Sequence, residues 1–319
     1  MKQRIYYIDF IRGIGILLML YAHIPIGGEF NHIVYAFHMP LFFFVSGYLY
    51  NEKINLSNMK KKFIKLLPSY LFFSILGYLL WLIEFKPTNF FEAMVPLFHV
   101  FTFNNDSMPI VGAIWFITAL LASEFIYFLL RQYIKNELLL LVCCLLLFSM
   151  SLLLGNIHFN LPFSINQSFV GLLFLHIGFL CAKWNIKQLT NIPILILIFF
   201  ILGGCLAHYN GEINMRLSKY ANPLIFFIAA ILLIFTLWLF SYFLYSKKLR
   251  VIFVEKIGRY SIIWLGTNEI VINITKSLIY KMHIELLTNL IIVIFLTTII
   301  EYFIQEFVIH SKLKKFFNL

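Results

Sequence analysis

Apolar stretches long enough to cross a bilayer recur along the whole chain and are separated by short polar breaks. This pattern predicts an all-α fold, a polytopic helical bundle in a membrane with about ten transmembrane helices. The second and sixth predicted spans are short, so these helices are expected to tilt little or to begin beneath the membrane surface. The predicted spans lie near residues 7–25, 35–50, 66–84, 111–131, 137–154, 168–183, 191–208, 222–245, 260–280 and 287–309.

The composition excludes an ordinary water-soluble protein. The chain is 61% hydrophobic and 12% charged, whereas soluble domains carry about 25% charged residues. A soluble core could not bury the 37 phenylalanines, but a bilayer can surround them. The length suffices for one compact bundle, so we expect residues 1–319 to form a single membrane domain with no soluble domain.

The basic residues predict the orientation of the spans. If the N-terminus is cytoplasmic, all but five of the 25 lysines and arginines fall on the cytoplasmic side. This asymmetry follows the positive-inside rule and predicts that both termini are cytoplasmic. The net charge of +11 therefore requires no nucleic-acid partner, because a membrane face in contact with anionic lipids accounts for it. The five exceptions are Lys86, Arg216, Lys219, Lys276 and Lys281.

Ionisable side chains at membrane depth are costly, which makes those of the first span functional candidates. Eleven positions separate Arg12 from His23, a spacing that puts both on one helix face, about 16 Å apart along the axis. Asp9 is expected to pair with Arg12 from one turn below. Alternatively, Arg12 is a snorkelling anchor with Asp9 as counter-ion, and His23 is an ordinary interface histidine. Because Asp9 and Arg12 interrupt the apolar run, we expect a retained helix rather than a cleaved signal peptide.

The second span runs back inward and begins with His38 and Pro40, which puts His38 near the height of His23. Two histidines at one level can position a hydroxyl and accept its proton, since neutral imidazole is suited to general-base catalysis near pH 7. In the alternative interpretation, His38 hydrogen-bonds a backbone carbonyl that Pro40 leaves free.

Further polar residues lie deeper in the predicted spans. Glu124 and Glu269 are expected to face the bundle interior, where they either pair with Arg12 or stay protonated, and a purely structural role is the alternative. Glu301 and His176 are weaker candidates, and for His176 packing is favoured. The cysteines lie in apolar spans without metal-ligand spacing, so neither a metal site nor a disulfide is expected. Two basic clusters, residues 60–65 and 247–259, either bind anionic phosphates or only set topology.

Two segments resemble a known family. The segment 7–15, Tyr-Ile-Asp-Phe-Ile-Arg-Gly-Ile-Gly, followed by His23, resembles the opening signature of the bacterial membrane acyltransferase 3 family. The segment 37–48, Phe-His-Met-Pro-Leu-Phe-Phe-Phe-Val-Ser-Gly-Tyr, is similar to the second-helix motif of that family. Residues 115–117, Trp-Phe-Ile, are similar to the branch of fucose 4-O-acetylase-like proteins and polysaccharide O-acetyltransferases.

The resemblance implies an enzyme of the bacterial cytoplasmic membrane. It would transfer an acyl group, usually acetyl, from cytoplasmic acyl-coenzyme A to a hydroxyl of an envelope glycan or a lipid-linked sugar. Arg12 and His23 would be the catalytic pair, and His38 is a third catalytic candidate. A transporter or flippase of envelope glycolipids is the alternative, although the two halves show no matching pair of broken helices. The expected substrate- or cofactor-binding residues are Asp9, Ser46, Tyr48, Trp115, Glu124, Arg259, Ser261, Asn268 and Glu269.

One position departs from the family pattern. Such proteins commonly have Gly-x-x-Ser followed by a histidine in the ninth helix, and here Gly258 and Ser261 are present but the histidine position holds Asn268. Asparagine can form hydrogen bonds but carries no proton at neutral pH. Either the histidine is not catalytic, or this branch uses a different acceptor. Ser46, Tyr48 and Asn268 are candidate donors to a reaction oxyanion.

Overall fold

The computed structural model describes residues 4–24, 28–102, 112–184, 193–281 and 290–317. Within these ranges the chain forms thirteen α-helices and no β-strand, which confirms the all-helical prediction for this part of the chain. The helices are α1 (Tyr6–Ala22), α2 (Gly28–Tyr48), α3 (Leu56–Phe85), α4 (Phe90–Thr102), α5 (Trp115–Tyr133), α6 (Glu137–Asn156), α7 (Ile165–Lys183), α8 (Pro193–Asn210), α9 (Pro223–Ser246), α10 (Ile252–Arg259), α11 (Ser261–Lys281), α12 (Leu290–His310) and α13 (Leu313–Phe316).

In the described part of the chain, seven helices are long and apolar enough to cross a membrane: α3, α5, α6, α7, α8, α9 and α12. The other long helices, α1, α2 and α11, fall outside this set. They carry candidate polar residues such as Arg12, His38 and Asn268. The chain is thus a helical membrane protein, and several polar candidates lie on long helices outside this set.

The second and sixth predicted spans are longer than expected. The second corresponds to α2, which has 21 residues and includes Pro40. The sixth corresponds to α7, which has 19 residues. A short 3₁₀ turn, Pro162–Ser164, precedes α7, and there Phe163 and Ser164 adopt positive φ angles of 60° and 54°.

Two segments predicted to be polar loops are helical. α3 begins at Leu56 because the Asn55 side chain caps it, accepting a hydrogen bond from the Asn58 N–H at 2.9 Å. The basic residues of the 60–65 cluster therefore lie on a helix. The segment between the predicted spans 66–84 and 111–131 contains α4, where the Asn89 side chain accepts a hydrogen bond from the Glu92 N–H at 2.8 Å. Asparagine is a recognised N-cap residue, and in the sequence it marks the start of both helices.

The first helix packs against α2, α9, α10 and α11. Its contact with α10 is the closest, because glycine replaces a side chain on both helices. A Cβ on Gly258 would lie 1.8 Å from the Asp9 carbonyl oxygen, and one on Gly13 would lie 2.1 Å from the Val254 carbonyl oxygen. Backbone against backbone leaves no room for either helix to shift, so α10 holds Arg259 beside α1.

The contacts between neighbouring helices define two ends of the bundle. We call the end where α1 begins the basic end. There the Tyr7 and Tyr48 hydroxyls are hydrogen-bonded at 2.7 Å, and Lys183 pairs with Glu137 at 2.7 Å. Lys256 of α10 is also there, and its hydrogen bond to Glu306 raises its pKa. His23, at the last residues of α1, lies at the opposite end.

Candidate active site

A cavity of about 470 Å³ opens at the basic end, between α1, α2, α3, α5 and the α10–α11 junction. Its volume falls in the range of small-molecule and cofactor sites. The wall is mixed, with aromatic and aliphatic side chains such as Phe42, Phe116 and Leu265 between charged ones. The polar residues that line it are Arg12, Ser46, Lys62, Lys65, Ser69, Glu124, Arg259, Tyr260 and Ser261.

The charges on this cavity are mostly positive. Four cations, Arg12, Lys62, Lys65 and Arg259, line it together with one carboxylate, Glu124. Among the described residues, no carboxylate lies within salt-bridge distance of Arg12. A cluster of this kind is suited to a ligand with several negative charges.

The expected pairing of Asp9 with Arg12 is wrong. Asp9 instead accepts from Arg4 Nε at 2.6 Å, and Arg12 is only within electrostatic range of Asp9 and Glu124. Arg4 precedes α1, and the extended backbone of Ile5 lets the Arg4 side chain fold back onto the first turn. As a result the guanidinium of Arg12 remains directed to the cavity.

Glu124 is nearly inaccessible, at 2% exposed. Both the hydroxyl of Ser46 and the ammonium of Lys62 donate to its Oε1, while Oε2 is buried without a hydrogen-bond partner among the described residues. The carboxylate therefore joins α2, α3 and α5 at the cavity wall.

At the opposite end, His23, Tyr35 and His38 form a second cluster. The ring centroids of His23 and Tyr35 are 5.9 Å apart, and those of Tyr35 and His38 are 5.4 Å apart. The predicted proximity of the two histidines is therefore observed, with Tyr35 between them. Tyr35 lies one turn before His38 on the same helix face, a spacing from which sequence reasoning could have found it.

The hydrogen bonds of the two histidines fix their tautomers. His23 Nδ1 lies 2.8 Å from the Met19 carbonyl oxygen, and His38 Nδ1 lies 2.7 Å from that of Val34. A carbonyl only accepts, so each Nδ1 carries the proton and each Nε2 holds a lone pair. Pro40 lacks an N–H and therefore leaves the carbonyl of Ala36 without its helical partner. His38 bonds the carbonyl of Val34 instead, so the alternative in which it bonds the freed carbonyl is wrong.

Glu269 lies at this second cluster. Of the two alternatives for Glu269, pairing with Arg12 is therefore wrong. Its Oε2 accepts from the Gly112 N–H at 2.7 Å, and Tyr35 is within electrostatic range of it. A Cβ on Gly112 would lie 2.1 Å from Arg216 Nη1 and 2.8 Å from Glu269 Oε1. Glycine is therefore required for this approach.

Asn268 connects α11 to the histidine cluster through Met19. Its Nδ2 lies 2.8 Å from Met19 Sδ, and its Oδ1 accepts from the Glu269 N–H at 2.6 Å. Both Asn268 and Met19 are fully buried. Asn268 therefore contacts Met19, the residue whose carbonyl oxygen orients the His23 ring.

The cavity does not extend to His23. Arg12 and Ile16 line it, and the next residue on this face, Met19, is fully buried between Ile16 and His23. In the described structure, buried side chains that include Met19 therefore separate this cavity from His23.

A protein-family model described as an acyltransferase domain matches residues 5–306. The chain belongs to the acyltransferase 3 family. Both clusters fall inside the matched region, so they are parts of one membrane acyltransferase domain. No curated protein and no solved structure matched the chain.

The acyltransferase 3 domain brings together only part of the predicted site. Ser46, Glu124, Arg259 and Ser261 line the cavity with Arg12. Tyr48 and Trp115 do not line it. Tyr48 is bonded to Tyr7 and packs on Trp238, and Trp115 is buried beside Phe116.

The remaining candidates of the acyltransferase 3 domain have local partners. Ser46 and Tyr48 lie at the basic end of α2, so they do not fit the predicted oxyanion role at His23. Glu301 accepts from Thr267 at 2.7 Å. His176 contacts the Tyr127 hydroxyl at 3.0 Å and the Glu137 carbonyl oxygen at 3.3 Å, an arrangement that accords with the packing role favoured for it.

Proposed function

We propose that the protein is an O-acyltransferase that uses acyl-coenzyme A, with acetyl as the acyl group, to modify a hydroxyl of an envelope glycan or lipid-linked sugar. The observation that carries the proposal is the arrangement on α1. This helix presents Arg12 to a cationic cavity at one end. At the other end it brings His23, whose Nδ1 is hydrogen-bonded to the Met19 carbonyl oxygen, to a polar cluster. A two-substrate transfer across a membrane needs such a pair of sites.

The donor would occupy the cavity at the basic end, which on this proposal faces the cytoplasm. Coenzyme A carries phosphates at one end and a flexible pantetheine arm at the other. The cations Arg12, Lys62, Lys65 and Arg259 offer charge-assisted hydrogen bonds to the phosphates. The apolar wall of Ile16 and Phe42 is suited to the less polar arm.

The chemistry would take place at His23. As a general base, its Nε2 accepts the hydroxyl proton while the hydroxyl oxygen attacks the thioester carbonyl; the thiolate leaves and takes up that proton. As an acyl carrier, Nε2 attacks the thioester carbonyl and the thiolate leaves. The acceptor hydroxyl oxygen then attacks the acyl carbon, the bond from that carbon to Nε2 breaks, and the thiolate takes up the hydroxyl proton. In both routes the bond from Nδ1 to the Met19 carbonyl holds the ring and leaves Nε2 free.

The donor thioester would reach His23 only when Met19 moves. Methionine is unbranched and has three rotatable bonds, so its side chain can vacate the path without displacing the helix. The route from Arg12 to His23 spans about 16 Å of α1, a distance that suits an extended arm rather than a compact ligand.

Consumption of acetyl-coenzyme A by purified protein, with and without an envelope glycan fraction, tests the proposal. We expect glycan-dependent release of coenzyme A, lost in His23→Ala and retained in His208→Ala. His208 is a matched control because it lies on α8, exposed and paired with Glu29. Full activity of His23→Ala would exclude the mechanism, and no release by the wild-type protein is the outcome expected of a transporter.

A further inference from the structure

Among the described residues, Glu124 is the one carboxylate on the wall of the cavity, and the other charged residues on that wall are cations. Its side chain is 3% exposed, whereas that of its partner Lys62 is 42% exposed. The pair is therefore asymmetric, because the carboxylate is fixed inside the bundle and the ammonium is at the end of a flexible chain that reaches it from α3. Ligand binding can displace only the lysine.

The hydrogen bonds of Glu124 are also asymmetric. Ser46 and Lys62 both donate to Oε1. Oε2 is buried and has no hydrogen-bond partner among the residues described. Arg12 is only within electrostatic range of Glu124, so among the described residues Lys62 is the cation that bonds this carboxylate directly. Release of Lys62 therefore has a cost that the ligand anion must offset.

We propose that Glu124 is an internal stand-in for a ligand phosphate. In the empty cavity it holds Lys62 and offsets the mutual repulsion of the cations, and a polyphosphate ligand displaces Lys62 from it. Glu124 then sets the affinity for the donor, because each binding event must break the Lys62–Glu124 ion pair. The inference rests on the proposed function for the identity of the donor, but the exchange itself requires only an anion with several charges.

The variant Glu124→Gln tests the exchange. Glutamine keeps the size of the side chain and an oxygen for the Ser46 hydroxyl, but it removes the charge that holds Lys62. We expect coenzyme A to bind about five- to tenfold tighter to this variant, since an attractive competitor for the lysine is gone. Pantetheine, which carries no phosphate, should bind equally to both proteins.

Two further probes make the result specific. Glu52→Gln is the matched control, since it removes a carboxylate from the same end of the bundle, where Glu52 pairs with Arg131 outside the cavity. It should leave binding of coenzyme A unchanged. Inorganic pyrophosphate is the second ligand, and it should also bind tighter to Glu124→Gln.

Calorimetric titration of the purified proteins distinguishes the outcomes. Equal or weaker binding of both anions by Glu124→Gln overturns the inference, as does the same tightening in Glu52→Gln. If only pyrophosphate binds, and binds tighter to Glu124→Gln, the exchange stands and the proposed donor fails. Should Glu124→Gln not fold, Lys62→Gln takes its place; both anions must then bind at least about fivefold weaker, and unchanged binding contradicts the inference.

Discussion

His23 donates its Nδ1 proton to the carbonyl oxygen of Met19, 2.8 Å away on the preceding turn of α1. This bond leaves Nε2 as the ring nitrogen without a backbone partner, and it ties the orientation of the ring to the residue that lies between His23 and the cavity. His23 and Met19, the buried side chain that lies between His23 and the cavity, are therefore one helical turn apart.

The substitution His23→Asn separates the hydrogen bond to the Met19 carbonyl from the basicity of the side chain. In His23→Asn the amide can still donate to the Met19 carbonyl, but it offers no group that accepts a proton near pH 7. We expect transfer to fall by roughly 10² to 10⁴, the usual contribution of a general base. Initial rates, normalised to the amount of protein in the membrane, provide the measurement. Activity near the wild-type value would show that His23 only packs.

Arg12 should act on donor binding more than on chemistry. Because no carboxylate pairs with it among the described residues, Arg12→Gln should raise KM for acyl-coenzyme A by about tenfold and change kcat less. Steady-state kinetics against donor concentration measure this split. Arg4→Gln is the matched control, since it removes the partner of Asp9 outside the cavity. A loss confined to kcat would contradict the role.

The mobility of residue 19 is testable with two side chains of similar volume. Isoleucine is branched at Cβ and stiff at χ1, whereas leucine is not. Both lose the contact of Met19 Sδ with Asn268, so Met19→Leu controls for that loss. We expect Met19→Ile to lower kcat by about tenfold with unchanged donor binding, and Met19→Leu to stay within about threefold. Equal rates in the two variants would show that residue 19 need not move.

Gly112 should be needed by the histidine cluster. In Gly112→Ala the new methyl would lie 2.1 Å from Arg216 Nη1 and 2.8 Å from Glu269 Oε1, so both side chains must shift. We expect a higher KM for the acceptor with unchanged binding of coenzyme A, measured by acceptor titration and calorimetry. Gly204→Ala on α8 is the control, because a Cβ there meets nothing within 4 Å and helix propensity favours alanine by about 1 kcal/mol. Unchanged acceptor kinetics in Gly112→Ala would count against a role for Glu269.

Hydropathy and the cost of buried charge predicted much of the structure. They predicted the helices, and they identified Arg12 and Glu124 as inward-facing groups. In the structure these two residues lie on the wall of one cavity. The same reasoning placed His38 near His23, since two neighbouring helices that run in opposite directions bring their adjoining ends to one level.

Other parts of the site depend on contacts that no local pattern encodes. Arg216 lies in the segment between α8 and α9 and reaches Gly112. The side-chain amide of Gln167 donates a hydrogen bond to the Arg216 carbonyl oxygen at 2.7 Å and so holds this segment in place. The partner of Asp9 depended on the extended backbone around Arg4, which periodicity within a helix does not describe. Burial of Met19 between two polar clusters is likewise visible only once the neighbouring helices are packed.

The locked contact between α1 and α10 has a consequence for the way a substrate enters. Gly13 and Gly258 leave that wall of the cavity with no freedom to yield. The facing wall, α3, is attached to α5 at this level by the Lys62–Glu124 ion pair, and much of its surface faces outward. We therefore expect the cavity to widen by a tilt of α3, so that a ligand enters from the α3 side.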